Sequence, residues 1–113
     1  MGQASFALHD RTAVITGAAQ GIGEACARRL ARDGAKVALW DVDLSKVQAL
    51  AAELKAQGAS TFAQRCDVSR KAEVDAALAA TQQALGPVNA LVNNAGIFRA
   101  ADFLDITRPT GMR

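Results

Sequence analysis

Short apolar runs alternate along this chain with longer stretches whose apolar residues recur at helical spacing. Thr12-Ala-Val-Ile-Thr16 is compact and apolar and is closed by Gly17. A run of that length bounded by a turn residue reads as a buried strand. From Ile22 the period changes. Ile22, Cys26 and Leu30 stand four apart with Ala25 beside them, and Arg28, Arg29 and Arg32 fall on the other side. This predicts a helix buried along Ile22, Cys26 and Leu30, ended at Asp33-Gly34 by a glycine in the left-handed position. Lys36-Val-Ala-Leu-Trp40 predicts a second strand. Asp43 is placed to N-cap a second helix with Val47, Leu50, Ala51 and Leu54 along one face, stopped by Gly58. Thr61 to Arg65 is a weaker third strand. Ser69 is expected to cap a third helix carrying Val74, Ala77, Leu78, Thr81 and Leu85, which Gly86-Pro87 ends; Val88 to Val92 is the fourth strand.

The order is therefore β-α-β-α-β-α-β. Strands joined by crossover helices lie parallel, and such crossovers are right-handed in nearly all cases. The expected fold is α/β, a parallel sheet with flanking helices, in one domain over residues 1–107 followed by a short divergent tail over 108–113.

Composition removes several function classes. Half of the 113 residues are apolar, and 13 basic against 11 acidic residues leave a net charge of +2. The basic residues form no cluster, so neither nucleic acid nor an anionic membrane is an expected partner. The opening MGQASFALHD lacks a cationic segment followed by an apolar one, so no signal peptide is expected. No apolar run approaches the ~20 residues that span a bilayer. The expected location is the cytoplasm. The two cysteines, Cys26 and Cys66, form no C-x-x-C pair and read as reduced thiols used as small apolar residues. His9 is the single histidine, so no Cys/His metal cluster is expected. Tyrosine is absent.

The chemistry gathers at "TGAAQGIG", Thr16 to Gly23, where the first strand turns into the first helix. Gly17 allows a tight turn off the strand, Gly21 lets the backbone approach a bulky anion, and Gly23 lets the helix lie close to the sheet. The N–H groups opening the helix converge there with the positive end of its dipole behind them, and a pyrophosphate is the natural guest. A glycine pattern alone is also compatible with a turn that binds nothing. A phosphate loop of the nucleoside-triphosphatase kind is excluded, because no Gly-Lys-Ser/Thr follows. Asp41 stands just past the second strand, 18 residues past Gly23, near the spacing at which an acid meets an adenosine ribose. Taken with the glycines and the strand order, it reads as the ribose ligand rather than a surface acid. Asp43 is better explained as a helix cap.

At "TGAAQGIG" and at "NNAG", Asn93 to Gly96, the chain resembles the short-chain dehydrogenase/reductase family. The glycine spacing Gly-x3-Gly-x-Gly is that family's. "CDV", Cys66 to Val68, is similar to its turn after the third strand, and "LVNNAG" to the segment after the fourth. The resemblance extends over about residues 8 to 107. It implies a Rossmann-like fold with sheet order 3-2-1-4, and binding of NAD(H) or NADP(H) for hydride transfer between nicotinamide and a carbonyl/alcohol pair. Cofactor contacts are implied for Gly17, Ala18, Ala19, Gln20, Gly21, Ile22, Gly23, Asp41, Asp67, Val68, Asn94, Ala95 and Gly96. Asp67 would bond the adenine amino group and Val68 flank the ring, while Asn93 braces the sheet and Asn94 lies along the cofactor. NAD is expected over NADP, since a 2′-phosphate would meet the Asp41 carboxylate.

Two features depart from the family. Past "FLDIT", where many members continue in an amphipathic helix, "TRPTGMR" brings Pro109 and Gly111, which would break one. The family's catalytic asparagine, serine and Tyr-x-x-x-Lys find no counterpart in the 113 residues, so no catalytic residue is expected. The expectation is the cofactor-binding half of such an oxidoreductase, from a truncated or frame-shifted copy or a fragment. The alternative is a non-catalytic NAD-binding module that another chain completes. The open edge of the fourth strand is the expected surface for self-association or a partner chain. A nucleotide-fold enzyme of another class, such as a methyltransferase, is opposed by "NNAG" and "CDV".

Overall fold

In the computed structural model, which describes residues 8–95, the elements follow one another as β1 (Thr12–Thr16), α1 (Gly21–Arg32), β2 (Lys36–Asp41), α2 (Leu44–Ala56), β3 (Thr61–Arg65), α3 (Lys71–Leu85) and β4 (Ala90–Asn93). All the pairings are parallel and the order is β3-β2-β1-β4. β1 is central, with Val14 level with Ala38 of β2 on one side and Leu91 of β4 on the other. The chain thus winds outward from β1 to β3 and then crosses back to β4. That reversal is the switch point of a Rossmann-like sheet, and ligands of such sheets lie beside it, at the carboxyl ends of the strands.

Successive strand residues face opposite sides of the sheet. Ala13, Ile15, Val37 and Leu39 meet Ala27 of α1 and Val47, Leu50, Ala51 and Leu54 of α2. Val14, Ala38 and Trp40 meet Val74, Ala77, Leu78 and Leu85 of α3. Helices therefore cover both faces, which is why β1 and β2 read as continuous apolar runs rather than alternating ones. Trp40 is fully buried, and its Nε1–H donates to the equally buried Thr81 Oγ1 at 3.0 Å. That bond accounts for a threonine on the apolar face of α3.

Three expectations are corrected. First, α1 is not buried along Ile22, Cys26 and Leu30. Gly23 and Ala27 are its buried residues, Leu30 and Ala31 pack partly against the core, Cys26 is half-buried, and Ile22 is 72% exposed. The smallest residues face the sheet because α1 crosses the glycine turn too closely for larger ones. Second, Ser69 does not cap α3. The capping position is Arg70, with no side-chain bond to the helix, while Ser69 donates its hydroxyl to Asp67 Oδ1 at 2.6 Å. Third, β4 begins at Ala90 rather than Val88. Asn89 ties that start to β1, its N–H donating to Thr12 O at 2.8 Å and its Oδ1 accepting the Thr12 N–H at 2.8 Å.

Both cysteines are free. Among the described residues, no helix is long and apolar enough to cross a membrane, and no group of His, Cys, Asp and Glu could hold a metal ion. Gly96 and the tail over 108–113 lie outside the described residues.

Candidate functional site

Thr16 ends β1 with its side chain buried, and its hydroxyl stitches the carboxyl ends of β1 and β4 together. It donates to Asn93 Oδ1 at 2.9 Å and accepts the N–H of Ala95 at 3.2 Å. Asn94 then reaches over the glycine turn, Nδ2 donating to the Gly17 carbonyl at 3.1 Å. The turn is crowded beneath this cover. A Cβ on Gly17 would meet Asn94 Nδ2 at 3.0 Å, and one on Gly23 would overlap the Gly17 carbonyl oxygen. Gly21 shares with Gly17 a φ in the left-handed region that disfavours side chains, +60° against +64°, but outside its chain neighbours and its own helix no atom lies within 4 Å of the place a Cβ would take. The backbone at Gly21 therefore faces open space. Gln20 precedes α1 in an extended conformation, and no side chain caps the helix start. The first-turn N–H groups and the positive end of the helix dipole are available to an anion. The one acid in that turn, Glu24, is bound to Arg28, which also bonds Glu53 and so ties α1 to α2.

Asp41 ends β2 beside this turn. Its Oδ2 accepts the N–H of Ala19 at 3.1 Å and its Oδ1 the N–H of Asp43 at 2.9 Å. An ionised carboxylate has about four acceptor sites, so each oxygen keeps one for a ligand hydroxyl. Asp43 caps α2 as expected, Oδ1 accepting the Lys46 N–H at 3.3 Å. Val42, between the two acids, is 58% exposed, an apolar side chain turned to solvent at the mouth of the site.

Asp67 follows β3. The hydroxyl of Ser69, then its N–H, and more weakly the charges of Arg70 and Arg65 hold the Asp67 carboxyl below the usual carboxylate range, so it is an ionised acceptor at neutral pH. Cys66 beside it is buried, and burial, helped by the charges of Glu73 and Asp67, pushes its thiol up to about 11. A thiol so placed stays protonated and serves as wall, not nucleophile. Gly17, Asp41, Val42, Cys66, Asp67, Val68 and Ala95 together line one cleft of about 130 Å³ at the carboxyl ends of the strands. Its walls are apolar, and it carries two carboxylates. A larger hollow of about 340 Å³ between α1 and α2 is lined by Arg28, Ala31, Arg32, Leu54, Gln57 and Ala59, toward the amino ends of the strands and away from the glycine turn.

The sequence-predicted residues thus divide. Gly17, Asp41, Asp67, Val68 and Ala95 meet in the cleft. Ala19, Gln20, Gly21 and Gly23 belong to the turn and helix start beside it, Ile22 is the exposed apolar residue of that first helical turn, and Asn94 lies over Gly17. Ala18 faces the core, and its N–H is spent on the Trp40 carbonyl at 3.2 Å. Val42 and Cys66 joined the cleft without being picked out in the sequence as site residues. The adjacency of Val42 to Asp41 was the only signal for it.

An apolar slot, two fixed carboxylates and a helix N-terminus behind a glycine turn describe the nucleotide end of a doubly wound α/β protein. The family described as short chain dehydrogenase matches residues 11–112, and the chain belongs to it. It is 44% identical over 100 residues to the oxidoreductase UcpA of Salmonella typhimurium, covering 88% of this chain and 38% of that protein. Among solved structures, it superposes on a short-chain dehydrogenase/reductase from Burkholderia phymatum in complex with NAD with a TM-score of 0.72 and 40% identity, over 76% of this chain and 31% of that one. A metagenomic short-chain oxidoreductase in complex with NADP gives a TM-score of 0.73 and 39% identity over 79% and 40% of the two chains. The chain therefore spans less than half the length of these relatives.

Proposed function

We propose that this chain forms the adenosine and pyrophosphate half of the cofactor site of a short-chain oxidoreductase, and that its cofactor is NAD(H) in preference to NADP(H). The observation that carries the reading is the open space at Gly21, the first residue of a helix with no side-chain cap, beside a cleft holding Asp41 and Asp67. In it, the α1 N–H groups bind the pyrophosphate, Asp41 accepts the ribose hydroxyls, and Val42 and Val68 flank the adenine. Asp67 accepts from the adenine amino group. Gln20, Ile22, Asn94, Ala95 and Gly96 are assigned to the cofactor's path along the turn. The bound cofactor supplies hydride transfer to or from a carbonyl/alcohol carbon.

The preference for NAD rests on Asp41. A 2′-phosphate at ~4 Å would add a like-charge repulsion of about 4 kcal/mol per charge pair at an effective dielectric of ~20. Gln20 offers no positive charge to offset it. Titration calorimetry of the 113-residue chain with both cofactors is the test. NAD is expected to bind at least tenfold more tightly, and Asp41→Ala to narrow the gap. Equal or tighter binding of NADP overturns the role of Asp41, and binding of neither overturns the nucleotide reading.

A further inference from the structure

Glu73 sits in the first turn of α3 and is not among the residues lining the cleft. Its carboxylate is nevertheless the meeting point of the turn that carries Asp67. Oε1 accepts the main-chain N–H of Asp67 at 2.9 Å and Nη1 of Arg65 at 3.2 Å, and Oε2 lies 3.3 Å from Nε of Arg70. A glutamate at this place in a helix ordinarily reaches back to the N–H of the capping residue. Here it passes Arg70 and reaches Asp67. Inside the loop so closed, the Arg70 N–H donates to the Asp67 carbonyl at 3.0 Å, and the Ser69 N–H and hydroxyl both hold Asp67 Oδ1. At its other end, the Cys66 N–H donates to the Asp41 carbonyl at 3.0 Å, joining the turn to the second acid of the cleft.

The charges give Glu73 a second task. Arg65 and Arg70 both stand near enough to Asp67 to lower its pKa. Glu73 engages both guanidinium groups and offsets their charge. Without it, Asp67, which already feels the charge of both arginines, is an anion open to them, and a guanidinium fork can bind a carboxylate bidentately.

We propose that Glu73 is the positioning residue for Asp67, fixing its backbone and drawing Arg65 and Arg70 away so that its carboxylate stays available to the amino group of an adenine in the cleft. The proposal rests on the dinucleotide reading above and adds to it a residue that touches no cofactor.

The test compares NAD with its hypoxanthine analogue, in which a carbonyl replaces the adenine amino group, on the 113-residue chain. The wild type is expected to prefer NAD at least about tenfold, because a carboxylate facing a carbonyl loses its donor. Glu73→Ala should bring the ratio to within about twofold, while Glu73→Gln, which keeps an acceptor for the Asp67 N–H, falls between. Amide hydrogen exchange without ligand supplies a second readout. The Asp67 N–H should be protected in the wild type and exchange at least about tenfold faster in Glu73→Ala but not in Arg70→Ala. A wild type that prefers NAD beside a Glu73→Ala variant with the same preference overturns the positioning role and leaves the nucleotide reading intact. A wild-type Asp67 N–H exchanging like a free peptide overturns it as well, whether or not the alanine variant folds. A wild type that binds neither dinucleotide overturns the nucleotide reading first, and the role with it.

Discussion

Replacing Gly23 with alanine probes the close approach on which the cleft depends. In an exposed helix interior the change stabilises by about 1 kcal/mol, because alanine is the better helix former. Gly23 is buried, and an added Cβ would overlap the Gly17 carbonyl oxygen, stand 2.9 Å from its carbonyl carbon and 2.8 Å from Asn94 Nδ2. Carbon atoms rest in contact at about 3.5–4.0 Å, so the carbonyl carbon alone requires the gap between α1 and the turn to open by about 0.5–1 Å, and the nearer carbonyl oxygen requires no less. Two of the three obstructing atoms are backbone and cannot rotate away. Overpacking of this kind costs about 1–3 kcal/mol. The displacement also strains the 3.1 Å bond from Asn94 to the Gly17 carbonyl, worth about 0.5–1.5 kcal/mol. Against the propensity gain, the expected net loss centres near about 2 kcal/mol. Urea unfolding followed by the fluorescence of Trp40, the single and fully buried tryptophan, measures it. Gly21→Ala is the companion, with no neighbour to meet but a left-handed φ of +60°, at a cost of about 1–2 kcal/mol. A Gly23→Ala chain as stable as the wild type, or more so, refutes the close approach.

Three further outcomes are expected. Because burial raises the Cys66 thiol to about 11 from its ordinary ~8.5, its stabilising effect is complete below the ordinary value and is lost as pH rises through the raised one. Unfolding free energy should therefore fall across that alkaline window, and Cys66→Ala should flatten the fall; an unchanged slope would count against it. The 113-residue chain, which contains no tyrosine, is expected to show no NADH oxidation at 340 nm with ketones, aldehydes or quinones, since a missing proton donor alone costs about 10²–10⁴-fold; turnover above background in the purified chain would refute this. Among the described residues β4 pairs only with β1, so its outer edge is expected to drive self-association, read by sedimentation velocity, and a monodisperse monomer at high concentration would show that edge to be covered.

Period and punctuation along the chain were enough to set the order of elements, and for β1 and β3 even their limits: β1 is buried on both faces and so apolar up to the glycine turn, while the half-buried β3 is bounded by the turn residues on either side of it. The glycine spacing and Asp41 were legible for a similar reason: the turn's chemistry is local, and an acid ending the second strand is carried by a parallel sheet to the end of the first. What the pattern misjudged lay between elements. The phase of α1 followed the largest apolar residues in the sequence, whereas in the fold it follows the nearest backbone, the Gly17 carbonyl, which admits only Gly23. Ser69 has the composition of a helix cap, and tertiary structure gave its hydroxyl to Asp67 instead. Val42 and Val68 come from separate loops and became walls of one cleft only when β2 and β3 paired, with Asp41 level with Arg65. Glu73 took its partners from the end of β3 and the turn after it. A sequence records which residues an element must bury; which atoms of other elements wait at that surface is decided by their approach in space.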